Sequence, residues 1–193
     1  MIFSASSASG TGFTLWFTGL SGAGKTTISR RVAHLLEERG QLVDILDGDV
    51  VRTHLSKGLG FSKEDRDTNI ARIGWVASRL ARAGSAVVVA AISPYDEARR
   101  RARALTEEFA PFVEIYVRAS LEECARRDVK GLYAKALAGE ISSFTGVSAP
   151  YEVPTEPDLV LDTEAGPPED SADLVLAFLE SRGLVAADRR ASV

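Results

Sequence analysis

Nine residues, Gly19 to Thr27 (GLSGAGKTT), place glycine at 19 and 24, lysine at 25 and threonine at 26, the spacing G-x-x-x-x-G-K-[ST]. Glycines at those points let successive backbone N–H groups turn inward around an anion, and a helix starting there adds its positive end. In that arrangement Lys25 reaches the β and γ phosphates of a nucleotide and the Thr26 hydroxyl coordinates Mg²⁺. A second cluster of oxygen donors lies in LVDILDGDVVR, where Asp47 and Asp49 follow another apolar run. One carboxylate can orient or deprotonate an acceptor hydroxyl while the other holds Mg²⁺ through water. A solvated DG turn is the plain alternative. Arg52, three residues beyond Asp49, shares its face if the chain is helical there.

Nucleotide binding leaves a switch, a motor and a transferase to be distinguished. The guanine-reading pattern [NT]-K-x-D does not occur, and the third apolar run, AVVVAAIS, ends without the acidic residue a hydrolytic machine places there for Mg²⁺. A small kinase is left.

The elements that must position these groups follow from periodicity. The apolar runs FTLWF, LVDIL, AVVVAAI, FVEIYV and DLVLD alternate with stretches of helical period, which predicts βα units on a parallel sheet covered on both faces. The phosphate-binding motif falls between a strand and a helix, and the two aspartates fall at the C-terminal end of the second strand, the edge where open α/β sheets bind ligands. Gly40, Gly84 and Gly183 sit where three helices should stop. Ser62, with Asp65 three residues on, predicts a helix start, with Ile70, Ile73, Ala77, Leu80 and Ala81 on its buried face and Arg66 and Asn69 converging on its first turns. Residues 130–151, KGLYAKALAGEISSFTGVSAPY, break the rhythm and read as a lid. The ends, about 1–11 and 185–193, are expected to be frayed, the final DRRASV included.

Composition bounds the rest. A 193-residue chain with 45% hydrophobic and 26% charged residues is expected to form a single globular domain, and no repeat is evident. A formal charge of −4 argues against a nucleic-acid partner. Cys124 is the only cysteine, which precludes an intrachain disulfide or a cysteine-based metal cluster and fits a reducing, cytoplasmic setting. No signal peptide and no run of 18 apolar residues is present, so a soluble protein without a membrane partner is expected. The arginine-rich DEARRRARAL reads as the solvated face of a helix, and His34 and His54 as helix residues without metal-ligand spacing.

Behind GLSGAGKTT, the ordered motifs LDGDVVR, LGFSKEDRDTNIARI, AAISPY, RDVKGLY, FTGV and PYEVPTEPDLVLDT resemble the adenylylsulfate kinase (APS kinase) family across about residues 13–163. The resemblance implies an α/β, three-layer P-loop NTPase-type fold with a mostly parallel five-stranded sheet and a flexible lid. It implies transfer of the γ-phosphoryl group of ATP to the 3′-hydroxyl of adenosine 5′-phosphosulfate, giving 3′-phosphoadenosine 5′-phosphosulfate in sulfate assimilation, with Mg²⁺ and a homodimer. ATP is then expected on Gly19, Ser21, Gly22, Ala23, Gly24, Lys25, Thr26 and Thr27, with Arg127 stacked on its adenine. Asp49 and Arg52 would contact adenylylsulfate, Asp49 accepting the hydroxyl proton and Asp47 joining Thr26 at the metal. Arg66 and Asn69 would bind its phosphosulfate and ribose side, Phe61 and Phe144 would sandwich its adenine, and Lys130 would reach it from the lid.

Ser93 aligns with a serine that the family's descriptions call a phosphorylated intermediate. A hydroxyl without an adjacent base is a poor nucleophile, so Ser93 and the Ile92 backbone are expected to shape the acceptor pocket instead. Ser142 and Ser143 stand where relatives often carry Lys and Gly, which bears on lid affinity. No sulfurylase domain is attached, so a separate ATP sulfurylase would supply adenylylsulfate. Two other readings are a P-loop kinase for a sugar acid or shikimate and a non-catalytic nucleotide-dependent interaction protein. The paired aromatics count against the first, and the complete set of lysine, aspartates and arginines counts against the second.

Overall fold

The structure, a computed structural model, describes residues 12–187. Five strands, β1 (Phe13–Thr18), β2 (Val43–Asp47), β3 (Ala86–Ala90), β4 (Phe112–Arg118) and β5 (Leu159–Asp162), form one sheet in the order β2-β3-β1-β4-β5. Every pairing in it is parallel. The helices are α1 (Lys25–Glu38), α2 (Gly48–His54), α3 (Lys63–Arg82), α4 (Asp96–Glu107), α5 (Leu121–Arg127), α6 (Leu132–Leu137) and α7 (Pro168–Ser181).

Alternation along β1 divides the core. Leu15 and Phe17 face α1 and α7, where Ile28, Val32, Leu36, Val175 and Leu179 pack on them. Trp16 faces the other way, toward Ile70, Ile73 and Ala77 of α3 and Ala98 and Ala102 of α4. Helices on both faces explain why β1 and β3 are buried at every position, which calls for apolar sequence without interruption. The edge strands β2 and β5 are half-exposed, so the expectation of full coverage holds only for the middle of the sheet.

Helix boundaries follow local chemistry. The Ser62 hydroxyl accepts from the Asp65 N–H at 3.1 Å and caps α3 as its sequence predicts. The chain leaves α1, α3 and α7 through Gly40, Gly84 and Gly183, all at positive φ. Among the described residues no helix is long and apolar enough to cross a membrane.

Two expectations need correction. Val185 is buried against the first core cluster, so the described chain is packed beyond α7; residues 1–11 and 188–193, with DRRASV, lie outside the described residues. Arg99 of α4 is buried and Arg103 half-buried, so neither belongs to a freely solvated face. Arg99 is 1% exposed and pairs with Glu114 at 2.7 Å, and Arg103 pairs with Asp158 at 2.6 Å, because β4 and the approach to β5 supply counter-charges under the helix. Arg100 and Arg101 do face solvent, beside Asp96 and Glu97. Residues 130–151, read as a lid, contain α6, and Tyr133, Ala136, Phe144 and Thr145 in it are buried.

Candidate active site

The phosphate-binding loop follows β1 into α1. Gly19 lies at φ +151°, and a Cβ there would stand 2.4 Å from the Val117 carbonyl oxygen of β4, so the loop seats against the sheet only with glycine. Lys25 is buried and donates to the carbonyls of Gly19 at 2.9 Å and Leu20 at 2.7 Å, arching over its own loop. Burial pulls its ammonium from the usual 10.5 to about 8, opposed by the nearby Cys124, Asp49 and Asp47 and reinforced by Lys130.

Thr26, one residue on, donates to Asp47 Oδ2 at 3.0 Å, and Asp47 Oδ1 accepts from the Asp49 N–H at 3.0 Å, capping α2. A hydroxyl and a carboxylate converge here as hard oxygen donors. Among the described residues no group of three or more His, Cys, Asp or Glu could hold a metal. This sparse set suits a cation that keeps most of its waters and takes phosphate oxygens, the habit of Mg²⁺.

The cap turns Asp49 outward. Its carboxylate pairs with Lys130 rather than with Arg52, although the latter lies on the same helix. Arg52 instead donates to the Gly60 carbonyl at 3.0 Å and lies 4.5 Å over the Phe61 ring. Asp49 and Arg52 therefore diverge in this state.

Arg66 is the hinge of the opposite wall. Its three donor nitrogens go to the Phe61 carbonyl at 2.8 Å, Thr145 Oγ1 at 2.8 Å and the Ser143 carbonyl at 2.5 Å, tying α3 to residues 143–145. Asn69, one turn further along, is buried with Oδ1 lacking any hydrogen-bond partner while lining the same cleft. An orphaned buried acceptor marks a place where a ligand donor is wanted. Phe144 is buried edge-on against Tyr133 with centroids 4.8 Å apart, and the Tyr133 hydroxyl donates to the Ser21 carbonyl at 2.8 Å. Phe61 is 57% exposed and joins Phe144 in the cleft wall.

At the end of β3, Ile92 and Ser93 form a shelf. Ser93 is a non-glycine residue at φ +40°, 1% exposed, whose hydroxyl accepts from Trp16 Nε1 at 3.0 Å and donates to the Ala91 carbonyl at 3.4 Å. The hydroxyl is thus engaged on both sides. Arg127, on the far side of the phosphate loop, donates to Glu123 at 2.7 Å and to the Thr163 carbonyl at 2.9 Å. Ser21, Gly22, Gly24, Lys25, Thr26, Thr27, Asp47, Asp49, Arg52, Phe61, Arg66, Asn69, Ile92, Ser93, Arg127, Lys130 and Phe144 all line one cleft of about 810 Å³. Of the sequence-derived set, Gly19 and Ala23 do not line it. Gly19 sits under the loop, while the Ala23 carbonyl accepts from Thr163 at 2.9 Å.

Sequence reasoning passed over Tyr133, Thr145 and Thr163. Thr163 follows directly on β5 at the same C-terminal sheet edge that drew notice to the aspartates, a signal that was available. Tyr133 and Thr145 owe their place to lid packing, which has no local signature.

The geometry is matched by known proteins. The family described as adenylylsulphate kinase matches residues 11–162. An adenylyl-sulfate kinase of Picosynechococcus sp. is 55% identical over 90% of this chain and 97% of its own length. One from Chloroflexus aurantiacus is 56% identical over 90% and 92%. Among solved structures, the Mycobacterium tuberculosis APS kinase CysC, in complex with AMPPNP and APS, superposes with a TM-score of 0.86 at 44% identity, covering 89% of this chain and 99% of that one.

Proposed function

Because this chain belongs to the adenylylsulphate kinase family, we infer that the cleft moves the γ-phosphoryl group of ATP onto the 3′-hydroxyl of adenosine 5′-phosphosulfate. The observation that carries the reading is one cleft holding both the Lys25 loop and the Asp49 carboxylate, with Phe61 and Phe144 in the acceptor wall. A sugar acid or shikimate would have no use for two aromatic walls, and a mere binding module would have none for a carboxylate placed opposite a phosphate lysine.

In this reading Gly19 to Thr27 cradle the triphosphate and Lys25 shifts from the loop carbonyls to the β and γ oxygens. Arg127 contacts the adenine of ATP from beside the loop. Thr26 and Asp47 would hold Mg²⁺, which when bound draws negative charge from the phosphate oxygens. Phe61 and Phe144 take the adenine of adenylylsulfate, while Asn69 and Arg66 address its ribose and phosphosulfate. Asp49 accepts the 3′-hydroxyl proton as that oxygen attacks in line. For this it must leave Lys130, which passes to the acceptor's negative charge. Ser93, with its hydroxyl engaged internally, shapes the shelf and forms no covalent intermediate.

The residues here are further read as a kinase domain working as a homodimer in a reducing cytoplasm. Family membership and the lone buried thiol of Cys124 support this reading. A coupled assay with ATP and adenylylsulfate, run against gluconate and shikimate, tests the reaction. Adenylylsulfate should be the preferred acceptor by at least about 10²-fold in kcat/KM. Equal or better turnover of either small acceptor would overturn it.

A further inference from the structure

We infer that Arg99 is a positioning residue for the acceptor side of the cleft, holding the β3 shelf and the exit of the lid on one buried guanidinium; this rests on the reaction proposed above. Arg99 belongs to α4, lines no part of the cleft and is 1% exposed. Its Nε donates to Glu114 Oε1 of β4 at 2.7 Å. One terminal nitrogen donates to the Ser93 carbonyl at 2.8 Å, and the other to the Glu152 carbonyl at 2.9 Å and to Asp96 Oδ1 at 3.3 Å.

Those two carbonyls belong to the two segments that must keep register when the acceptor binds. Ser93 sits in the shelf at φ +40°, a conformation that a non-glycine residue keeps only when its surroundings hold it. Glu152 follows directly on residues 130–151, and its N–H donates to the Pro94 carbonyl at 2.8 Å while its carboxylate accepts from the Asp96 N–H at 2.7 Å. Tyr151 beside it shares a hydrogen bond of 3.0 Å with Thr18, which donates to the Ile92 carbonyl at 2.7 Å. The near end of the lid is held by Lys130 on Asp49 and its middle by Arg66, and Arg99 adds to the direct Glu152 and Tyr151 hydrogen bonds a guanidinium that grips the far end and the shelf at once.

Stability alone does not call for this arrangement, since a buried ion pair is commonly matched or bettered by apolar residues of similar volume. What an apolar side chain cannot do is gather two carbonyls and two carboxylates in three directions. Lysine, a point charge on a flexible stem, cannot do so either.

The test uses the full chain and three variants: Arg99→Lys, the charge-neutral double variant Arg99→Met with Glu114→Gln, and Arg103→Met. The last removes another half-buried arginine of α4 that touches neither Ser93 nor Glu152. For Arg99→Lys and the double variant, KM for adenylylsulfate should rise at least about tenfold with KM for ATP within twofold. Amide hydrogen exchange at residues 151–153 should accelerate. Arg103→Met should lower the melting temperature and leave both KM values within twofold. An Arg99→Lys enzyme with unchanged KM for adenylylsulfate and unchanged exchange at 151–153 overturns the inference, as does a parallel rise of both KM values. Should the double variant fail to fold, Arg99→Lys decides alone. A wild-type enzyme that binds ATP but does not phosphorylate adenylylsulfate refutes the proposed reaction, and exchange at 151–153 still reads out Arg99.

Discussion

Replacing Lys25 with methionine should abolish turnover and yet raise the stability of the nucleotide-free protein. In the folded chain the Lys25 ammonium is buried against two carbonyls, and its pKa falls from 10.5 to about 8. At about 1.4 kcal/mol per unit, that displacement is a penalty of about 3 kcal/mol for holding the charge in place. Methionine removes the charge and keeps the apolar stem. It also leaves the Gly19 carbonyl without its donor, which costs about 1–2 kcal/mol, whereas the Leu20 carbonyl keeps the Ala23 N–H. The difference is a net gain of about 1–2 kcal/mol, or about 5 °C in melting temperature for a domain of this size. The pH dependence has a definite sign. Below pH 8 both folded and unfolded chains carry the Lys25 proton and the penalty is complete; between pH 8 and 10.5 the unfolded chain binds more protons, so wild-type stability gains relative to the variant. Scanning calorimetry without nucleotide at pH 7 and pH 9.5 measures both effects. A variant melting below wild type at pH 7, or a gap that does not narrow at pH 9.5, would refute the reasoning.

Asp49→Asn should lower kcat by about 10²-fold or more while ATP affinity by calorimetry stays within threefold, since the carboxylate acts on the acceptor oxygen. Phe144→Ala should weaken adenylylsulfate binding by about 1–3 kcal/mol, measured by isothermal titration; unchanged affinity would remove the stacking role. Arg66→Ala frees the Ser143 carbonyl and Thr145 together, so limited proteolysis should cut near residues 139–146 several-fold faster than in wild type. An unchanged rate would mean that Arg66 does not tether the lid.

Most of the sheet is legible in the sequence because its strands are short apolar runs bounded by helix signals, and the Lys25 loop is legible because its chemistry is local. The cap at Ser62 is read from two residues three apart. What escapes is whatever depends on distant segments meeting. Asp49 and Arg52 seem partners by helical spacing, but the lid brings Lys130 to the first and Phe61 stacks beneath the second. Arg66 is legible as a site residue and illegible as a lid tether, because its acceptors are mostly backbone carbonyls. The burial of Arg99 had one visible sign, a glutamate inside the apolar run FVEIYV, since a charge in a covered strand requires a partner from the helix above it. Leu184 and Val185 likewise form an apolar pair after Gly183, the signal that the packed chain outlasts α7.

The strand order also constrains how the molecule is made. β1 precedes the other described strands in the chain, yet its neighbours in the sheet are β3, which begins at Ala86, and β4, which begins at Phe112. Among the described residues no hairpin shelters it, and Trp16 and Phe17 precede by many residues the strands that cover their flanks. Until the segments from Ala86 and Phe112 are available, β1 has open edges, so parallel pairing over long sequence separations makes the sheet slow to close and exposed to aggregation while it forms.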